Sequence, residues 1–198
     1  MSADYEFDVF VSYKREPPEA QVITPWIDGV LKRVIFWLKQ ELGGRDVSIF
    51  FDRDTIDIGD KWPDTLRFGL RRSRCMVGIW SPEYFRSHWC VSEWRSFLAR
   101  EEHISAERRG LIAPIKFHDG KWFPSEAQTT QTLDLSGYAG TTEAFWKTMR
   151  AEELDQKLSL FAGSLARIVD RAPPFSPDWP VVEEAPLARP RGFEMERL

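Results

Sequence analysis

The sequence predicts an α/β fold: a parallel sheet with helices on both faces. Three observations point there. Apolar runs of strand length alternate along the chain with longer segments of helical period. Two of those runs, Val9-Phe10-Val11 and Cys75-Met76-Val77-Gly78-Ile79-Trp80, are almost continuously apolar, as strands buried on both faces are. Each is followed by a polar crossing with cap residues that open a helix.

The first strand is expected at 7–13, leaving the sheet through Ser12-Tyr13-Lys14-Arg15. Two adjacent cations after a buried strand lie at the ligand-binding edge of an open sheet, where they face either a phosphate or solvent. Residues 16–24 carry Pro17-Pro18 and little periodicity, so they form a loop. Thr24-Pro25 opens a helix running to about Leu42, with Trp26, Ile27, Val30, Leu31, Val34, Ile35 and Leu38 at helical spacing and Gly43-Gly44 as its stop. A second strand is expected at 47–51. The charged loop 52–62 after it contains two isoleucines, a combination suited to binding. Pro63 starts the next helix, with Leu66 and Leu70 facing inward and Arg67, Arg71, Arg72 and Arg74 expected as a solvated face.

The third strand ends near Trp80, and Ser81-Pro82-Glu83 has the cap residue and first-position proline of a helical turn. Ser87 then caps a helix beginning near His88. In it Cys90, Trp94, Phe97 and Leu98 form an apolar stripe, while Trp89 and Glu93 make an i, i+4 pair on the stripe's edge. An indole and a carboxylate would meet near the strand's C-terminal end, where open α/β sheets bind ligands. Local pattern alone also permits a plain reading, with the indole as packing and the carboxylate as a partner of the helix dipole.

Residues 111–117 read as a fourth strand that Pro114 demotes toward an edge or a bulge. A short fifth strand is expected at 132–135, and a last helix from Phe145 and Trp146 through Leu154, Leu158, Phe161, Leu165 and Ile168 to about Arg171. Six prolines from Pro173 to Pro190 make the remainder a linker or a loosely draped tail, so that 1–171 forms the domain and 172–198 adds little to its core.

Composition narrows the classes. A chain of 198 residues with net charge −4 and interspersed signs offers no nucleic-acid surface. The two cysteines, Cys75 and Cys90, read as core, which suits a reducing compartment, and with three scattered histidines they supply no metal cluster. The N-terminal stretch is acidic and no segment reaches membrane-spanning length, so a cytosolic protein without a membrane segment is expected. Nine tryptophans suggest aromatic surfaces for stacking or self-association.

Four ordered motifs carry a family resemblance: Asp8-Val9-Phe10-Val11-Ser12-Tyr13; Phe51-Asp52-Arg53-Asp54 leading to Ile58-Gly59; Ser81-Pro82-Glu83-Tyr84; and Ser87-His88-Trp89-Cys90-Val91-Ser92-Glu93. Over residues 5–171 the chain resembles a TIR domain. The resemblance implies a flavodoxin-like, three-layer fold around a mostly parallel sheet of five strands, with 52–62 as the so-called BB loop. The segment 16–30 looks longer than the usual link after the first strand, and 172–198 has no counterpart in the family pattern.

TIR domains include adaptors that assemble with one another and enzymes that cleave the nicotinamide-ribose bond of NAD+. The pattern Ser-x-Trp-Cys-x-x-Glu resembles the enzymes and implies Glu93 as catalytic carboxylate, with Trp89, Ser12, Tyr13, Lys14, Arg15, Asp52, Ile58 and Gly59 as substrate-binding candidates. NAD+ is then a substrate and no cofactor or metal is implied. The product is left open between ADP-ribose, a cyclic isomer and a conjugate. The resemblance further implies self-association through TIR–TIR contacts, a sensor domain or partner protein, and a place in immune or defence signalling. The alternative is a non-enzymatic adaptor module acting through TIR–TIR interaction.

Overall fold

A computed structural model describes residues 4–51 and 64–183. In chain order they form β1 (Phe7–Tyr13), α1 (Thr24–Glu41), β2 (Ile49–Phe51), α2 (Asp64–Arg72), β3 (Ser73–Trp80), α3 (His88–Glu102), β4 (Ile112–Lys116), α4 (Ser125–Gln128), β5 (Leu133–Asp134) and α5 (Met149–Arg171). The strands make one sheet in the order β2-β1-β3-β4-β5, and every pair is parallel. The order reverses direction between β1 and β3, which opens a crevice at their C-terminal ends.

Strand parity divides the core in two. Val9 and Val11 of β1 and Cys75, Val77 and Ile79 of β3 face α1 and α5, where they meet Ile27, Val30, Leu158 and Leu165. Phe10, Met76 and Trp80 face the other way, against Leu66 and Leu70 of α2 and Trp94 and Phe97 of α3. The same parity turns Ser12 toward α3 and leaves Tyr13 packing with the α1 side. α1 ends as expected at Gly43 and Gly44, whose φ values of 72° and 84° are left-handed and return N–H groups to Gln40 and Lys39 carbonyls.

Four expectations need correction. β2 begins at Ile49: the Asp8 carboxylate, held by a two-pronged bond from Arg45, takes the Ser48 N–H at 3.0 Å, while the Ser48 carbonyl still accepts the Asp8 N–H at 2.8 Å. β4 lies inside the sheet and not at its edge. β5 pairs only with Ile115 and Lys116, so Pro114 interrupts no ladder on that side. Arg74 belongs to β3, and the arginines are only partly a solvated face: Arg72 donates to the Asp4 carbonyl at 2.7 Å, and Arg71, though exposed, to the Trp179 carbonyl at 3.3 Å. Residues 172–183 do not drape loosely. Trp179 is 7% exposed, Phe175 meets Tyr5 edge-on at 5.4 Å, and the Val182 N–H donates to Ser96 Oγ on α3 at 2.9 Å. The expected start of α2 at Pro63 lies outside the described residues. Among the described residues no helix is long and apolar enough to cross a membrane.

Candidate active site

β1 delivers its last residues to the crevice, and a turn followed by α3 closes it from the β3 side. The Ser81 hydroxyl accepts the Tyr84 N–H at 3.1 Å, starting the 3-10 turn Tyr84–Arg86. Ser87 stands at the cap position of α3 with extended backbone but makes no side-chain cap hydrogen bond, and the first turns of α3 carry Trp89 and Glu93 to the mouth of the sheet.

A cleft of about 1340 Å³ opens there. Tyr13 lines it from the end of β1 and Lys14 and Arg15 from the chain just beyond, Trp89, Cys90 and Glu93 from α3, and Asp28, Lys32 and Ile35 from α1. Five predicted residues, Tyr13, Lys14, Arg15, Trp89 and Glu93, thus share one cavity. Ser12 is not in its wall. It is 1% exposed, behind the wall, and its hydroxyl donates to Glu93 Oε2. Asp52, Ile58 and Gly59 lie outside the described residues.

Glu93 is only 5% exposed although it lines the cleft, so its carboxylate is held in a largely dry setting where its field is strong. Its neighbours stay neutral. Burial, and after it the neighbouring Cys90 and Glu93 side chains, push the Tyr84 phenol well up. Burial and then Glu93 likewise push the Cys90 thiol far up, which makes it a poor nucleophile. Burial and then the Lys14 ammonium hold His88 below its ordinary value, so the cation's field reaches the base of α3.

Two residues of the site escaped sequence reasoning. Tyr84 stands in a quoted motif without a role, yet its hydroxyl lies 2.9 Å from that of Ser12. Glu16 folds back over the start of α1, where Oε2 accepts the N–H groups of Ile23 and Thr24, each at 2.8 Å, and the Thr24 hydroxyl at 2.9 Å. An acid shortly before a Thr-Pro helix start was the available signal. Its own carboxylate thus fills the α1 N-terminus and occupies the N–H groups of Ile23 and Thr24.

Residues 9–149, most of the chain, match the profile of the TIR domain family. The chain belongs to that family. This TIR domain is 30% identical over 113 residues, 56% of its length, to the NAD(+) hydrolase TirS of Staphylococcus aureus (strain MSSA476). It is 24% identical over 115 residues, 58% of its length, to the NAD(+) hydrolase TcpA of Theionarchaea archaeon (strain DG-70-1). The matches cover 34% and 30% of those relatives, so the TIR domain spans about a third of their length. The crystal structure of the TIR domain of the Toll-related receptor TRR-2 from Hydra magnipapillata is similar with a TM-score of 0.43 and 15% identity, over 77% of this chain and 98% of that one.

Proposed function

We propose that this TIR domain cleaves the bond between nicotinamide and ribose in NAD+, with Glu93 as the catalytic carboxylate. The observation that carries the reading is a buried carboxylate in the wall of a large cleft that also holds an indole, Trp89, and the cations Lys14 and Arg15. Relatives named as NAD(+) hydrolases support the substrate.

The chemistry needs those groups. As the C1′–N bond breaks, its electron pair returns to the pyridinium nitrogen and positive charge builds on the ribose, as in other glycoside cleavages. A preorganised carboxylate facing that ribose stabilises the charge. The leaving ring goes from cationic to neutral, so it requires no strong general acid. Water then adds its oxygen to C1′ and loses a proton, giving ADP-ribose; attack by an internal nucleophile of the substrate instead gives a cyclic isomer. Trp89 stacks on the substrate and Lys14 or Arg15 meets the pyrophosphate. Self-association completes the site, in defence signalling within the cytoplasm.

The test is nicotinamide release from NAD+ by the purified chain over a dilution series. Activity should rise faster than linearly with protein concentration. Flat specific activity in a protein that stays monomeric sinks the assembly requirement, and no release even from assembled protein replaces the enzyme with the adaptor.

A further inference from the structure

Ser12 stands in the middle of a hydrogen-bond chain. Its hydroxyl donates to Glu93 Oε2, and its oxygen lies 2.9 Å from the Tyr84 hydroxyl. A serine hydroxyl has one proton to give. With that proton committed to the carboxylate, Ser12 can only accept from Tyr84. The chain therefore runs one way, from the Tyr84 O–H to Ser12 Oγ and from the Ser12 O–H to Glu93 Oε2.

The three groups come from three separate elements, the turn after β3, the end of β1 and the second turn of α3. All are buried, at 0%, 1% and 5% exposure for Tyr84, Ser12 and Glu93. The Tyr84 ring is locked in the aromatic core, edge-on to Phe85 at 5.1 Å. Its phenol stays protonated because burial first, and then the Glu93 carboxylate beside it, disfavour the phenolate, so it remains a donor.

We propose that Tyr84 and Ser12 are positioning residues that fix the catalytic carboxylate of Glu93 in its reactive rotamer. This inference rests on the NAD+-cleaving reading. A glutamate side chain has three rotatable bonds, and a carboxylate that must settle as the ribosyl cation forms loses part of its electrostatic advantage. Tying Oε2 to β1 removes that freedom before substrate arrives, and the Tyr84 proton strengthens the Ser12 donor by polarising it. The rigid core supplies the support that a catalytic carboxylate at a cleft wall needs.

The experiment compares parent, Tyr84→Phe, Ser12→Ala and Ser12→Thr for nicotinamide release, at a concentration where the parent is active and well below each melting temperature. Tyr84→Phe keeps the ring and removes one hydroxyl, so it carries the test if Ser12→Ala folds poorly. The expected result is a kcat lower by about fivefold in Tyr84→Phe and about thirtyfold in Ser12→Ala, with KM for NAD+ moved less than about twofold. Ser12→Thr, which retains the hydroxyl, should return kcat to within about threefold of the parent. A merely structural role would lower the melting temperature and leave kcat alone. Parental kcat in folded Tyr84→Phe and Ser12→Ala, or a loss confined to KM, overturns the positioning role and leaves the cleavage reading standing. A parent that releases no nicotinamide overturns both together.

Discussion

The guanidinium carbon of Arg100 lies 5.0 Å from the ring of Trp179, fastening the chain beyond α5 to the helix that carries Glu93. Arg100 is 1% exposed, and its donors reach the Ser73 carbonyl at 2.8 Å and the Leu70 carbonyl at 2.6 Å. Burial pushes its pKa down to about 10, the mark of a cation kept from water partly by this indole. The indole N–H in turn donates to the Tyr5 hydroxyl at 3.1 Å.

Deleting the chain from Pro174 onward should therefore destabilise the protein. Removing a buried tryptophan commonly costs about 3–5 kcal/mol, and at about 2–4 °C per kcal/mol for a chain of this size the melting temperature should fall by roughly 6–20 °C. Circular dichroism melting of parent and truncated protein measures this. An unchanged midpoint would mean that residues 174–183 lie on the surface without holding it.

Glu16 should stabilise α1 in a pH-dependent way. Burial raises its pKa, but the N–H groups of Thr24, Ile23 and Val22 and the Thr24 hydroxyl outweigh that and leave it lowered. A carboxylate lowered in the folded state contributes stability above its ordinary value of 4.5 and loses it as pH falls through the folded value. Glu16→Ala should thus cost about 1 kcal/mol near neutrality, as lost caps do, and the gap to the parent should close in acid. Denaturant unfolding at both pH values checks it. A gap independent of pH would remove the charge from the explanation.

Trp89 and Lys14 should act on substrate binding. Trp89→Ala and Lys14→Ala should each raise KM for NAD+ by about tenfold, the effect of losing about 1.4 kcal/mol of stacking or charge pairing. Lys14→Ala should also let His88 titrate closer to its ordinary value, although burial, the larger cause, keeps it below. Proton NMR of the His88 ring follows this directly. A His88 titration unmoved by the substitution would place the ammonium's influence elsewhere.

Local chemistry explains why much of this molecule can be read from its sequence. β1 and β3 announce themselves through apolar runs, and α3 through Ser87 and the stripe of Cys90, Trp94 and Phe97, because each signal and its consequence lie within a few residues. Position just after a buried strand and helical spacing likewise brought Lys14, Arg15, Trp89 and Glu93 to one crevice. The misreadings are non-local. Phe175 and Trp179 are isolated aromatics among prolines and show no period; what buries them is Tyr5, Arg72 and Arg100, far away in sequence. The arginines of α2 looked solvated because their partners, the Trp179 carbonyl and Glu183, lie in that same tail. Pro114 suggested an edge because nothing near it reveals that β5 is only two residues long. Tyr84 had no visible role, since its meeting with Ser12 depends on how β1 and the turn after β3 pack together.

The central claim is that the charge of Glu93 lowers the barrier to breaking the nicotinamide-ribose bond. Glu93→Gln preserves size and helix propensity while removing that charge, so the fold should survive. Because the charge acts on the transition state, turnover should fall by about a hundredfold or more while NAD+ affinity changes much less. Nicotinamide release by parent and Glu93→Gln at equal concentration, with circular dichroism to verify folding, is the measurement. A folded Glu93→Gln that turns over at least a hundredfold more slowly is the predicted result, and a folded Glu93→Gln that cleaves NAD+ at the parental rate would contradict the account.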